Sequence, residues 1–353
     1  MPEKREVLIK ALEALGTNMK LFGDNAPYNA FSKLIDESHY HKVNEIIAQE
    51  HFYNGWFTEE AIRSSLSALA DWLQAEKLEE WIKEVEFTTS PRKVGLIMAG
   101  NIPLVGFHDF LSILLTGHHA KIKLSSSDKH LFPMVLKLLE LYYPEINEHV
   151  EIDDNFKNIS AVIATGSDNS ARYFEKYFGH LPTIIRKNRT SVGVLNGDET
   201  EETLYRLGTD IFKYYGLGCR NISQLLIPAD FDLDRLFKAI LPYADIVNHN
   251  KYANNYDYYK AVYLMSRVKL TENGFLLTKE SDELFAPISV LNIKRYEQQN
   301  EVDNFLVEHK EKLQVVIGEE YTPFGTAQCP TLTDYADGIN TLAFLESLSK
   351  EKV

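Results

Sequence analysis

The chain has 353 residues, with 51 Asp and Glu against 37 Lys and Arg and a formal net charge of −14. At 44 % hydrophobic and 25 % charged it is composed like a globular protein, long enough for two domains and for a core that needs no disulfide or metal. The acidic balance argues against a nucleic-acid surface. The most apolar run, residues 104–115, is broken by His108 and Asp109 and is too short to span a bilayer, so no integral membrane segment is expected. Two cysteines, Cys219 and Cys329, lack any CxxC spacing, and no apolar signal core follows the first residues. A reducing, cytoplasmic compartment is expected.

Residues 1–90 read as helices. Apolar side chains recur every three or four positions over 7–22, 43–49, 58–75 and 78–85. Thr58 followed by Glu59 and Glu60 is a helix-start signature. Trp56, Trp72 and Trp81 fall in this region and read as packing residues. Residues 93–100 then form a buried strand ending in glycine, and a helix is expected from Asn101 through about Thr116. A strand at 119–124 follows, with Ser-Ser-Ser-Asp at 125–128 capping a helix over 129–143. The next strand, 160–165, runs into Gly-Ser-Asp-Asn and a helix over 170–177. Such alternation predicts a parallel, doubly wound sheet whose ligands gather at the C-terminal strand ends. Asn101, Lys123, Gly166 and Ser167 all fall at that end.

Further strands are expected at 183–186 and 191–196, then a helix over 201–215. Gly216 and Gly218 can take positive φ and stop that helix. Cys219 follows at once, and 223–228 is a strand. A thiol at a glycine-rich helix-to-strand corner is placed as a nucleophilic cysteine would be, with its own N–H available to an oxyanion. The alternative is a small buried apolar residue. Beyond it come a helix over 232–241, a tyrosine-rich helix over 252–262, a strand start at Val268 and a turn into a strand over 283–291. A helix over 302–311, a strand at 314–317 and a helix over 338–348 complete the chain.

Several residues invite chemistry without supporting it. His118 and His119 are adjacent on a strand and point to opposite faces, so no metal is expected. His108 and His180 read as ordinary polar contacts, with proton donation as the alternative. Tyr252, Tyr256, Tyr259 and Tyr263 have helical spacing and read as packing rather than as an acyl tunnel. Arg186-Lys-Asn-Arg189 reads as a solvated loop or a partner for acidic neighbours. Cys329 reads as structural.

The order of motifs resembles the aldehyde dehydrogenase superfamily. Asn-Ile-Pro-Leu at 101–104, Lys-Leu-Ser-Ser at 123–126, Thr-Gly-Ser at 165–167, Leu-Gly-Cys at 217–219, Glu-Leu-Phe-Ala-Pro at 283–287 and Pro-Phe-Gly at 323–325 follow that family's sequence of turns. Each is weak alone; six in order are not. Met-Ala-Gly-Asn-Ile-Pro-Leu and Gly-Leu-Gly-Cys-Arg-Asn-Ile-Ser are most similar to the acyl-CoA reductases of the LuxC type.

The resemblance implies an α/β fold of two doubly wound domains behind an N-terminal helical lead-in. Residues 1–188 would carry the helices and the dinucleotide, 189–320 the cysteine, and 321–353 a tail returning to the cofactor domain. It also implies roles. Cys219 would attack a thioester and form an acyl-enzyme, with Asn101 and the Cys219 N–H holding the oxyanion. Lys123 would bind the adenosine ribose, while Gly166 and Ser167 would offer N–H groups to the pyrophosphate. Glu283 would bind the nicotinamide ribose, with Phe285 packed beside it.

Two departures from the family pattern refine this reading. No Asp or Glu lies between Glu175 and Asp198, where aldehyde-oxidising members carry a hydrolytic base. Water attack on the acyl-enzyme is then slow, which favours acyl-CoA reduction to aldehyde. Ser126 stands where an acid would hold the adenosine 2′-OH, so NADPH is favoured over NADH, with Lys121 and Lys129 near in sequence. A GxGxxG fingerprint is absent. Two other readings stay open: an acyl-phosphate reductase, and a catalytically idle binding subunit. An acyl-transferring partner protein and a homo-oligomer are further expectations.

Overall fold

The computed structural model describes residues 2–350, which fall into two compact units. Among the described residues, one comprises 2–187 together with 331–350; the other is Asn188–Pro330.

The first unit opens with four helices, α1 (Pro2–Gly23), α2 (Glu37–Tyr53), α3 (Glu59–Ala70) and α4 (Ala75–Trp81). Leu8, Leu12, Leu15, Met19 and Phe22 line one face of α1 and are buried, as their three- and four-residue spacing requires. Asp36 caps α2 by accepting from His39 N at 2.8 Å, and Thr58 caps α3 by accepting from Ala61 N at 3.3 Å. The sheet then alternates strand and helix: β1 (Lys93–Ile97), α5 (Phe107–Leu115), β2 (His119–Lys123), α6 (Leu131–Glu140), α7 (Ile146–His149), β3 (Val150–Ile152), β4 (Ala161–Thr165), α8 (Asp168–Phe178) and β5 (Thr183–Arg186). All strand pairs are parallel, in the order β3-β2-β1-β4-β5. The order reverses on either side of β1, so the crevice of a doubly wound sheet lies between β1 and β4.

Two helices start later than expected. Residues 101–106 form turns rather than the first turns of α5, and Leu104 is left-handed at φ +59°. The Asp128 carboxylate accepts from Leu104 N at 3.0 Å, a tertiary bond that displaces the helical one. α6 begins at Leu131; its N-cap residue His130 makes no side-chain cap, and the Leu131 N–H meets the Asp128 carboxylate. The short edge strand β3 was not anticipated; three residues carry too little pattern to read.

The second unit holds β6 (Thr190–Val194), α9 (Glu201–Phe212), β7 (Ile222–Pro228), α10 (Leu233–Ala239), α11 (Asn250–Met265), β8 (Thr271–Glu272), β9 (Leu277–Glu280), β10 (Val290–Tyr296), α12 (Gln299–His309) and β11 (Leu313–Ile317). Its sheet runs β11-β6-β7-β10-β9-β8, parallel except for the β8–β9 hairpin. The strand start expected at Val268 is instead β8 at Thr271, and β9 was not anticipated because residues 275–278 are buried on both faces and do not alternate. Tyr252 and Tyr256 of α11 are core residues; the Tyr252 hydroxyl donates to Phe275 O at 3.0 Å and the Tyr256 hydroxyl to Glu272.

Pro323-Phe-Gly325 lies in the second unit, where the reading of 321–353 as one tail had placed it elsewhere. Gly325 N and Ala327 N both donate to the buried Asp210 of α9, at 2.6 and 2.9 Å, so the chain crosses back only at Thr331. The last helix, α13 (Thr341–Lys350), belongs to the first unit. Arg186, closing β5, donates to Asp109 of α5 at 2.5 Å, to Thr341 Oγ1 at 3.0 Å and to Ala336 O at 2.8 Å. Of the two expectations for the 186–189 stretch, Arg186 takes the buried acidic partner.

Candidate active site

In the second unit α9 stops at Phe212, three residues earlier than the periodicity of 201–215 suggests. Tyr214, Tyr215 and Gly216 then lie in succession in the left-handed region, at φ 53°, 59° and 78°. Gly216 adopts this freely, but the two tyrosines store strain there, which costs roughly 1–2 kcal/mol each. Gly218, expected to share the left-handed role, is not among the positive-φ residues.

Asn221 holds the corner that follows. Its Oδ1 accepts from Gly218 N at 2.8 Å, and its Nδ2 donates to the Asp210, Ile211 and Lys213 carbonyls at 3.0, 3.3 and 2.9 Å. One buried amide thus caps the open end of α9 and fixes the residue before Cys219. From β6, Ser191 Oγ donates to Cys219 O at 3.0 Å. Arg220 Nε donates to Ala327 O at 2.5 Å, tying the corner to the Pro323-Phe-Gly325 loop. Cys219 itself is half-buried, a small side chain on a backbone held from both sides.

The loop before β10 is anchored to the same strand pair. Ser223 Oγ, on β7 four residues past the cysteine, donates to Leu284 O at 2.6 Å. Asn292 Nδ2, on β10, donates to Glu283 O at 2.6 Å and Phe285 O at 3.1 Å. Backbone anchoring leaves the Glu283 side chain 72 % exposed, and Phe285 is exposed at 39 %. Lys279 Nζ sits 2.6 Å from Glu283 Oε2, and that hydrogen bond holds the carboxyl below its ordinary range. A cavity of about 50 Å³ in this unit is lined by residues that include Tyr215, Gly216, Asn221, Ser223 and Pro287.

In the first unit the ends of β1, β2 and β4 lie side by side. Gly100 meets the loop after β2 so closely that a Cβ there would sit 2.5 Å from Ser125 Oγ. Asn101 and Ser126 are exposed on these two loops. Lys123 Nζ is 3.9 Å from Asp154 Oδ1, the lysine half-exposed and the aspartate largely in water, a weak pair. Ser167 caps α8 by accepting from Ser170 N at 3.3 Å. Gly166 N does not face outward as expected. It donates to Arg186 O at 3.3 Å, because the β4–β5 ladder continues one residue past the strand. Asp168, in the first turn of α8, adds a negative charge at that helix N-terminus.

Sequence reasoning missed the residues that hold these loops. Asp128 and Asp210 are buried aspartates, each pinning one loop through backbone N–H groups. Burial pushes each carboxyl up to about 6, against the pull of those N–H bonds; for Asp128 the nearby Glu50 charge adds to the rise. His108, weighed as a proton donor, is packed among Trp72, Trp81 and Tyr335 with Nε2 2.9 Å from Leu332 O, and burial lowers its pKa. His118 Nδ1 accepts from Arg92 N at 3.0 Å, which leaves Nε2 to donate to Leu345 O at 2.9 Å. Among the described residues no cluster of His, Cys, Asp or Glu is arranged to hold a metal ion, and no helix is long and apolar enough to cross a membrane.

No protein-family model and no curated protein matches the chain. Solved structures do. The chain is similar to succinic semialdehyde dehydrogenase from Streptococcus pyogenes in complex with NADP+, at 14 % identity and TM-score 0.61 over 92 % of this chain and 82 % of that one. It is similar to a mutant of aldehyde dehydrogenase C from Pseudomonas syringae complexed with NAD+ and octanal, at 11 % identity and TM-score 0.62 over 90 % and 72 %. An NAD-dependent aldehyde dehydrogenase from Sinorhizobium meliloti gives 12 % identity and TM-score 0.60 over 91 % and 71 %. At these identities the likeness is one of fold, and the fold is that of the aldehyde dehydrogenases.

Proposed function

We propose that this protein is an NAD(P)H-dependent acyl-CoA reductase acting through a Cys219 acyl-enzyme. The observation that carries the reading is the cysteine corner. A half-buried thiol stands on a corner fixed by Asn221, just past the strained Tyr214–Gly216 turn, in a fold whose similar solved structures are aldehyde dehydrogenases. A backbone corner held by a buried amide on one side of the thiol and by Ser191 on the other is what pre-organisation of a nucleophile requires.

The Cys219 thiolate attacks the thioester carbonyl, and coenzyme A leaves as its thiolate. The Asn101 amide and the Cys219 N–H stabilise the oxyanion as it forms. No carboxylate occurs between Glu175 and Asp198 to activate water, so the acyl group survives on sulfur until it is reduced. Aldehyde release then returns the thiolate. The strand ends of the first unit fit a dinucleotide. Gly100 lets the loops after β1 and β2 meet closely, Ser167 opens α8, Lys123 is exposed at the end of β2 and Ser126 on the loop after it. When bound, the dinucleotide supplies the hydride. Glu283 would hold its nicotinamide ribose, Phe285 would pack beside it, and Lys123 would hold its adenosine ribose. Ser126, with Lys129 beyond it, favours the 2′-phosphate of NADPH.

The test is NAD(P)H oxidation with a panel of acyl-CoAs, wild type beside Cys219→Ala. Thioester-dependent oxidation that the variant loses supports the reading. Oxidation with acyl phosphates alone would replace the substrate class, and dinucleotide binding without turnover would leave a binding subunit.

A further inference from the structure

The Asn101 turn is an improbable piece of backbone, and the structure shows what holds it. Leu104 is left-handed at φ +59° although it is neither Gly nor Asn, and its side chain is buried. A residue in that region needs compensation of about 1–3 kcal/mol from its surroundings. Two buried side chains supply it. Asp128 Oδ2 accepts from Leu104 N at 3.0 Å, and Ser65 Oγ donates to Pro103 O at 2.9 Å. Behind them Asn54 Nδ2 donates to Ser127 O at 3.1 Å, holding the loop that carries Asp128. His130 Nδ1 lies 3.0 Å from Glu50 Oε2. Asp128 Oδ1 and Glu50 Oε1 are both buried and make no hydrogen bond among the described residues. Asp128 is tied to the turn through Oδ2, while its carboxylate also meets the Leu131 N–H at the start of α6.

We propose that Asp128 is a positioning residue for Asn101: its carboxylate clamps Leu104 N and so fixes the turn that presents the Asn101 amide to the developing oxyanion. The proposal rests on the role given to Asn101 in the acyl-CoA reductase reading. Asp128 touches no substrate; it acts through three residues of backbone. A carbonyl oxygen can replace the carboxylate at the Leu104 N–H, so Asp128→Asn keeps the clamp, whereas Asp128→Ala removes it.

Two measurements on the full-length protein test this. The first is hydrogen exchange of the Leu104 amide, read on a peptide covering residues 99–107. The second is single-turnover acylation of Cys219, read as release of the coenzyme A thiol. Asp128→Ala is expected to speed Leu104 exchange and to slow acylation, followed at saturating thioester, about 10- to 100-fold, the range for a misplaced or lost oxyanion donor. Asp128→Asn should stay within about threefold of wild type in both, and Asp128→Ala should add little to Asn101→Ala, as for residues acting as one unit. Unchanged exchange in Asp128→Ala would overturn the clamp. Fast exchange with normal acylation, or full additivity with Asn101→Ala, would overturn the positioning role. A wild type silent with every acyl thioester would instead sink the functional reading, and the exchange measurement would still decide the clamp.

Discussion

Asn221 Oδ1 accepts from Gly218 N at 2.8 Å, and through that bond the residue before the candidate nucleophile is fixed to the end of α9. The same side chain donates to three carbonyls that the broken helix leaves open. Asn221→Asp keeps the size and the Gly218 bond but sets an oxygen against those carbonyls. A loss of about 2–4 kcal/mol of unfolding free energy is expected, the cost of buried unpaired acceptors and a buried charge. Urea unfolding measures it, and a change below about 0.5 kcal/mol, the surface-substitution range, would show that the corner holds without Asn221.

Cys219→Ala should separate chemistry from folding. The thiol is half-buried and its backbone is anchored independently by Asn221 and Ser191. Stability should shift by no more than about 1 kcal/mol, while thioester-dependent turnover disappears. A thermal scan beside the activity assay reads both. A variant that keeps turnover removes Cys219 from the mechanism.

The Arg186–Asp109 pair crosses from the end of β5 to α5 with both side chains buried, and Arg186 continues to Thr341 on α13. Asp109→Ala strands the guanidinium charge and should cost about 3–5 kcal/mol. Replacing both partners by apolar residues should recover much of that, because the pair's desolvation is removed with it. Equal losses for the single and double variants, by denaturant unfolding, would contradict this account.

Asp210 makes stability depend on pH in an unusual direction. Burial pushes its carboxyl up to about 6 in the folded chain, above the ordinary value of 3.8. Between those two values the folded state holds more protons than the unfolded state, so stability falls as pH rises through that window. Asp210→Asn has no such proton. From pH 4 to pH 7 the variant should therefore gain on wild type by on the order of 2–3 kcal/mol, whatever it loses at the Gly325 and Ala327 N–H groups. Unfolding curves across that pH range measure the difference; a pH-independent gap would mean that Asp210 titrates normally.

Ser126 decides cofactor preference if the β2 loop holds the adenosine ribose. Ser126→Glu places a carboxylate beside the 2′ position and should raise the KM for NADPH about 10-fold or more while sparing NADH, since like charges in a site cost at least 1.4 kcal/mol. Glu283→Gln should raise the KM for both dinucleotides and leave stability within about 0.5 kcal/mol, its side chain being exposed. Equal effects of Ser126→Glu on both cofactors would move the adenosine elsewhere.

The elements themselves were legible along the chain. Buried apolar runs marked β1, β4 and β7, and three- and four-residue spacing marked α1, α3 and α9, because local periodicity follows directly from which face must leave water. The ordered turns around Asn101, Cys219 and Glu283 were also visible, since short motifs are local. Their conformations were not. The start of α5 is decided by Asp128, 24 residues downstream, and the end of α9 by Asn221. The place of Pro323-Phe-Gly325 is decided by Asp210, 115 residues earlier than Gly325. Each of these is one buried polar group meeting a backbone N–H or C=O that the local helix would otherwise have used. A polar residue in sequence carries no periodicity that says whether it faces water or a distant loop; only the folded chain, where an unpaired buried dipole is costly, makes that choice.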